Sequence, residues 1–333
     1  MKKAIVTGVG GQDGYYIAKL LAQNDYDVIG IVHNTDAVSS MKGVRKVSID
    51  LNEYSSIKEL IKDEVPDEIY NFAGQSSSIE SWENTVETCI LNYIAPVAIL
   101  EAIRDYASGC KFFQASSAEI FGAHPFEIPQ KEDTRKNPQT PYAVAKAAVG
   151  DVINIYRERY GVFAINAIFY NHESIRRKQS FLPSKIAKGV ASIKRSELDC
   201  LEVGNVDSKR DWGFAPDYML AAWKSMLLKK PDDYIFATGK LHTVKEMISA
   251  AFSSVAIPIV WSGNGLDTVA RIEGTDRIVV RVNPAFYREY DRCDSVGDPS
   301  KLYNALGWTP KTTFEEMIKN MTEYFYNGIE GQK

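Results

Sequence analysis

The chain is short of the residues that staple or metallate small domains. Its 333 residues hold four cysteines, Cys89, Cys110, Cys200 and Cys293, with no Cys-x-x-Cys pair among them. That spacing fits neither a zinc knuckle nor a disulfide framework, and a reducing, cytoplasmic setting is expected. Four histidines, His33, His124, His172 and His242, are equally scattered, so no metal site is expected. Positive charge is also in deficit: 39 Lys and Arg stand against 43 Asp and Glu, a net charge of −4. Such a balance leaves no basic stripe to release counterions from a nucleic-acid backbone. No apolar run approaches the ~18–20 residues of a bilayer span, and Met1-Lys2-Lys3 leads into only a short apolar stretch rather than a secretory signal. Neither nucleic acid nor membrane is an expected partner.

What is present is a chain 45% hydrophobic and 25% charged, enough for about two lobes at ~150 residues each. Lys3-Ala4-Ile5-Val6 reads as a buried strand that breaks at glycines, and residues 15–23 then carry Ile17, Leu20 and Leu21 at helical spacing. Strands over 27–32, 46–49, 68–72 and 111–115 alternate with helices over 57–62 and 86–105. The alternation predicts right-handed βαβ units, hence an α/β fold with a Rossmann-type doubly wound parallel sheet covered on both faces. Beyond Asn171, Pro183, Gly204, Pro216, Pro258 and Gly263 break the pattern into shorter elements, which read as a smaller mixed α/β substrate lobe. The expected division is 1–170 for a dinucleotide and 171–333 mainly for substrate, with a segment near 210–240 returning to the first lobe.

The first turn reads Thr7-Gly8-Val9-Gly10-Gly11-Gln12-Asp13-Gly14. Gly8 permits a sharp turn, Gly11 lets the backbone approach a pyrophosphate, and Gly14 allows close helix packing, while the helix N-terminus presents N–H groups to the anion. A glycine triad alone is weak evidence, but a strand before it and a helix after it supply the confirming context. A bound dinucleotide is therefore expected, with Gln12 and Asp13 beside it. The second strand ends at Ile31-Val32-His33-Asn34, with no acid for the ribose hydroxyls and no adjacent Arg for a 2′-phosphate, so NAD and NADP both stay open. Asp50, followed by Leu51, stands at the end of the third strand, where it either accepts from the adenine amino group or caps the next helix.

Tyr142 and Lys146 form Tyr-x-x-x-Lys. On a helix this spacing puts both side chains on one face, where the ammonium favours an ionised phenol and the phenolate can take a proton from a sugar hydroxyl. Alone, the pattern is more often a solvent-facing pair. Here it follows the glycine turn and a polar strand end, Ser116-Ser117-Ala118-Glu119.

Six segments, TGVGGQDG (7–14), QASSAEIFG (114–122), PYAVAK (141–146), NHESIRR (171–177), GNVDSKRDWGFAPDY (204–218) and ATGKLHTVKE (237–246), lie in order over most of the chain. They resemble the extended short-chain dehydrogenase/reductase family and, within it, the GDP-mannose 4,6-dehydratases. The resemblance implies an NAD(P)-dependent lyase acting on a GDP-sugar, with oxidation at C4, loss of water across C5 and C6, and return of the same hydride to C6. By matching position it implies Tyr142 as the C4 base, Lys146 on the nicotinamide ribose, Ser117 on the C4 oxygen, and Glu119 as the group that abstracts H5 and helps water leave. It further implies Arg210 and Arg288 at the diphosphate, and Asn171, Glu173 and Lys185 near the sugar or nucleotide.

Three positions depart from the family pattern. His33-Asn34 replace paired arginines, Ile175 replaces a proline, and Ser76-Ser77 replace a Ser-His pair that faces the sugar. The substrate expected is therefore GDP-mannose or a GDP-manno-heptose, whose C7 needs room near C6. A GDP-sugar C4 oxidoreductase or epimerase would need Tyr142 and Lys146 but not Glu119, and a non-catalytic NAD(P)-binding regulator would need none of them. The family's habit of pairing through two helices implies a homodimer or homotetramer, built here on 86–105 and the helix containing Tyr142.

Overall fold

Two strands near the N-terminus, β1 (Lys3–Thr7) and β2 (Asp27–Val32), are apolar on both faces because both faces are covered. In the computed structural model, which describes residues 1–35, 38–287 and 295–328, they pair in parallel with Ile5 beside Ile29. β3 (Val44–Ser48), β4 (Glu68–Asn71), β5 (Lys111–Ser117) and β6 (Ala164–Phe169) extend the same parallel sheet. A seventh strand, Asp233–Phe236, closes it against β6, giving the order Asp233–Phe236, β6, β5, β4, β1, β2, β3. The order reverses at β1, and the crevice outside the carboxyl ends of such a sheet is where ligands sit.

That edge is polar inside. Thr7 donates from Oγ1 to Asn71 Oδ1 at 2.5 Å and accepts from the N–H groups of Phe72 and Ala73, while Asn71 Nδ2 donates to Gln114 Oε1 at 2.8 Å. These buried bonds cross β1, β4 and β5 and hold their ends level, since each buried polar group needs its partner. On one face of the sheet, Ile57 and Ile61 of α2 (Tyr54–Glu64) pack with Ile99 and Ile103 of the Ala95–Tyr106 helix. On the other, Ile17 and Leu21 of α1 (Gln12–Gln23) pack with Met219 and Ala222 of the Ala215–Ser225 helix.

The helix expected over 86–105 is present but not regular. It runs as Thr85–Cys89, a π-turn over Ile90–Ile94, and Ala95–Tyr106, with the Ala95 N–H bonded back to the Ile90 carbonyl. Pro96 accounts for the widening: it has no N–H for the carbonyl of Asn92, and its ring crowds that carbonyl. The stretch Thr85–Tyr106 is 22 residues long and contains an 18-residue window with a mean hydropathy of 1.5, enough by length and composition to cross a bilayer, and half of that window is buried in the fold. Polar residues dispersed along it hide this from a search for unbroken apolar runs.

The second lobe has its own four-stranded sheet, in the order Ile259–Ser262, Val269–Ile272, Ile278–Val282 and Leu201–Val203. Helices Leu182–Lys194, Val244–Ser254 and Phe314–Tyr326 cover it through a core that includes Val190, Met247, Phe252 and Phe325. Thr243 and Thr313 each start a helix with a reciprocal capping box to Glu246 and Glu316. Two short ladders join the lobes at the cleft. Trp212–Phe214 runs parallel to Asn171–Glu173, and Lys209–Arg210 runs antiparallel to His242–Thr243.

The glycine turn is set by contact rather than by flexibility alone. Gly8 has φ +68°, and a Cβ on Gly14 would lie 2.2 Å from the Gly8 carbonyl oxygen. Gly14→Ala is expected to lower the thermal midpoint by about 3–10 °C through overpacking, read by circular dichroism.

Candidate active site

The N-terminus of α1 is open to an anion. Its N-cap is Gly11, in an extended conformation with no side-chain cap, so the first-turn N–H groups face the crevice without a carboxylate or hydroxyl of their own. Those residues fit a dinucleotide pyrophosphate. Gln12 contributes less than the sequence implies: its amide donates to the His172 carbonyl at 3.0 Å and accepts from Ser174 Oγ at 2.8 Å, leaving its backbone N–H for a ligand. At the other end of the crevice, His33 and Asn34 are exposed just past β2. Asp50 accepts from the Asn52 backbone and amide, both at 2.9 Å, and these bonds hold its carboxyl below the usual range. Leu51 is buried beside Ile29 and Ile31.

A cavity of about 500 Å³ opens between the carboxyl ends of β4, β5 and β6 and the second lobe. It brings together Asp13, Ser76, Ser77, Ser117, Glu119, Tyr142, Lys146, Asn171, Glu173 and Arg210. Two residues expected at the substrate are not among them. Lys185 is exposed, with its ammonium 4.2 Å from the Phe286 ring centre, where solvent and an aromatic face spare it the cost of burial. Arg288 lies outside the described residues.

The Pro141–Tyr160 helix carries the central pair. Thr140 caps it by accepting from the Ala143 N–H at 3.1 Å, and Pro141 occupies the first turn. Tyr142 and Lys146 are then both buried on one face, with the ammonium 5.7 Å from the phenol ring centre. The ammonium donates to the Ala115 carbonyl at 2.7 Å. Burial pulls Lys146 down to about 8 and pushes Tyr142 up to about 12. The expected lowering of the phenol by its neighbouring lysine is thus overridden by desolvation, because the ammonium is turned to a carbonyl. What opposes burial at Tyr142 is the Ser117 hydrogen bond and the charge of Arg177, while Glu119 and Asp13 add to it.

β5 ends at Ser117, whose hydroxyl accepts from the Glu119 N–H at 3.2 Å and so starts the tight turn Ala118–Phe121. Gly122 follows with φ +75°, and any Cβ there would strike the Asn137 carbonyl at 2.3 Å. Glu119 is half-buried and lines the cavity on the Ser117 side.

Three further cavity residues hold the site in shape; the sequence singled out neither Arg177 nor Asn92, and of His172 it led only to the expectation that it orients the loop beside the nicotinamide. Arg177 stacks on Phe181 at 4.0 Å and places Nε 3.0 Å from Glu173 Oε2, without the angle of a hydrogen bond. Burial pushes the Glu173 carboxyl up, against the charges of Arg177 and His172. Asn92 is buried on the π-turn and donates to the carbonyls of Gln75 and Thr88, both at 3.1 Å. It fixes the loop that carries Ser76 and Ser77. A lone Asn four residues before a proline in an apolar helix was the available signal. His172 is the third. Its Nε2 lies 3.0 Å from Asp13 Oδ2 and its Nδ1 2.7 Å from the Tyr170 carbonyl. Both ring nitrogens face acceptors, so both carry protons and the ring is an imidazolium. Among the described residues, no group of three His, Cys, Asp or Glu is placed to hold a metal ion.

The ion pair has a pH signature. For His172, burial pulls downward but the Asp13 charge and hydrogen bond overcome it, so its pKa is raised; for Asp13, burial pulls upward but His172 overcomes it, so its pKa is lowered. The raised imidazole stabilises the fold fully below its ordinary 6.5, and the lowered carboxyl does so above its ordinary 3.8. Asp13→Asn is therefore expected to lower the thermal midpoint most between pH 3.8 and 6.5. The gap to wild type should narrow as pH rises through the folded His172 value or falls through that of Asp13, followed by calorimetry across pH.

Known proteins share this sequence and architecture. The sequence model of the GDP-mannose 4,6 dehydratase family matches residues 5–321. The GDP-mannose 4,6 dehydratase of Drosophila melanogaster is 39% identical over 96% of this chain and 85% of its own. That of Yersinia enterocolitica is 37% identical over 96% and 93%. Among solved structures, the dTDP-glucose 4,6-dehydratase of Bacillus anthracis in complex with NAD superposes with a TM-score of 0.80 at 18% identity, covering 99% of this chain and 98% of that one. The cavity is therefore built on a sequence aligned over nearly its whole length with one set of relatives, and the chain belongs to the GDP-mannose 4,6-dehydratase family.

Proposed function

We propose that the chain is an NAD(P)-dependent GDP-sugar 4,6-dehydratase, converting GDP-mannose to GDP-4-keto-6-deoxy-mannose with release of water. The observation that carries this reading is that Ser117, Glu119, Tyr142 and Lys146 line one cavity beside the N-terminus of α1. A nicotinamide held there would supply the hydride acceptor for oxidation at C4 and the hydride donor for reduction at C6.

The chain's own groups move the protons. Tyr142 takes the C4 hydroxyl proton, aided by the Ser117 hydrogen bond and the Arg177 charge that offset its burial. Lys146, drawn toward the neutral range by burial, holds the nicotinamide ribose beside the phenol. Once C4 is a ketone the C5 proton is acidic; Glu119 takes it and delivers a proton to the departing C6 hydroxyl. One carboxyl suffices because C5 and C6 are adjacent. Arg210, with Arg288, meets the diphosphate through charge-assisted forks. Asn171 and Glu173 stand by the sugar, and Ser76 and Ser77 line the same cavity. These small hydroxyls support a GDP-manno-heptose as a second substrate.

Mass spectrometry after incubation with each sugar nucleotide and NAD(P) tests the reading. Loss of one water is expected from GDP-mannose, from the heptose, or from both, and no loss from either overturns it. Glu119→Gln is expected to slow water release about 10²–10⁴-fold. A variant that keeps its rate would instead make the chain a C4 oxidoreductase or epimerase.

We further infer a cytoplasmic homo-oligomer. Cys89, Cys110 and Cys200 are unpaired thiols. Val86, Val144 and Ile155 are 74%, 51% and 54% exposed on the two helices expected to pair, an apolar face that a second copy would cover. Val144→Glu is expected to shift the mass measured by light scattering from dimer or tetramer toward monomer.

A further inference from the structure

Between the two short ladders that join the lobes lies a single residue, Asp211. Arg210 pairs with His242 of the second lobe, and Trp212 pairs with Asn171 where the chain leaves β6. Arg210 and Trp212 both line the cavity, while Asp211 is turned away from solvent at 0% exposure. Its Oδ1 accepts from the Thr238 N–H at 2.9 Å and the Thr238 hydroxyl at 2.6 Å, and its Oδ2 from the Gly239 N–H at 2.8 Å. The Asp211 N–H itself donates to the Ser295 carbonyl at 3.3 Å. Thr238 and Gly239 follow directly from the edge strand Asp233–Phe236. Gly297 is wedged in so closely that a Cβ would lie 2.6 Å from both Ile235 and Tyr170.

We propose that Asp211 is the positioning residue of the substrate cleft: its carboxylate bolts residues 209–214 to the carboxyl edge of the parallel sheet and thereby sets where Arg210 and Trp212 stand. Thr238 and Gly239 bring three donors to the two oxygens of one carboxylate while Ser295 takes the Asp211 N–H, so three separate stretches of chain meet at this residue. The residues on either side of it carry the ligand-facing groups. Asp211 itself touches no ligand and acts through its neighbours. The identity of that ligand rests on the GDP-sugar reading.

Asp211→Asn keeps the size but turns an NH₂ toward a donor, so about one of the three bonds fails; Thr238→Val removes the hydroxyl donor to Asp211 and with it the acceptor of the Lys240 N–H. GDP binding measured by calorimetry is expected to weaken about tenfold or more in Asp211→Asn and about threefold in Thr238→Val. The KM for GDP-mannose should rise in step while kcat stays within about threefold, and the affinity for NADPH or NADH, whichever wild type binds, should hold within about twofold. Unchanged GDP affinity in both variants, or parallel loss of GDP and reduced dinucleotide, would overturn the positioning role. Should Asp211→Asn not fold, Thr238→Val decides alone by the same split. A wild-type chain that binds the dinucleotide but not GDP would bring down the GDP-sugar reading and this role with it.

Discussion

The contact between Asp13 and His172 joins residues 159 positions apart in the chain. It ties the first turn of α1, where a pyrophosphate would sit, to the strand that leads out of β6 toward the second lobe. Gln12 and Ser174 bridge the same two segments beside it. Because a carboxylate and an imidazolium meet here in a largely dry setting, the geometry is fixed by charge as well as by packing. The aromatic rings of Phe169 and Tyr218 pack against the imidazole at 4.9 and 5.2 Å and against each other at 6.1 Å. With that joint in place, Asn171, Glu173 and Arg177 are carried to the rim of the cavity on a short stretch of backbone.

The proton-transfer groups sit under a second constraint, burial. Desolvation pushes both Tyr142 and Lys146 toward their uncharged forms. Neither is therefore poised by its partner alone, and the tuning comes from groups around them. Ser117 and Arg177 favour the phenolate, while Glu119 and Asp13 oppose it. This balance suits a cycle in which the phenol must give its proton back. A fully stabilised phenolate would be a weaker base, and a fully desolvated phenol would never ionise.

Much of this was legible in the residues. Strand and helix periodicity gave the parallel sheet through β5, since buried strands of Ile, Val and Phe alternate with amphipathic helices. The glycine turn, the Tyr142–Lys146 spacing and the Ser117–Glu119 strand end all fall at the carboxyl edge of that sheet. Other features depended on long-range contact. The pairing of His172 with Asp13 has no local pattern, and Arg177 looks like any surface arginine until its neighbours are known. Lys185, named by matching position, stands exposed with its ammonium over Phe286 rather than on the cavity wall. The π-turn was missed because periodicity averages over a helix and cannot see one extra residue.

That extra residue sets the phase of a whole helix. Each residue of an α-helix advances about 100° around the axis, so everything before Ile90–Ile94 is rotated by that slack relative to Ala95–Tyr106. Deleting one position there would let the coil close to an ordinary α-turn and take Asn92 from its place beneath Gln75. The loop that carries Ser76 and Ser77 thus hangs, through Asn92, on a single widened coil of an otherwise ordinary helix.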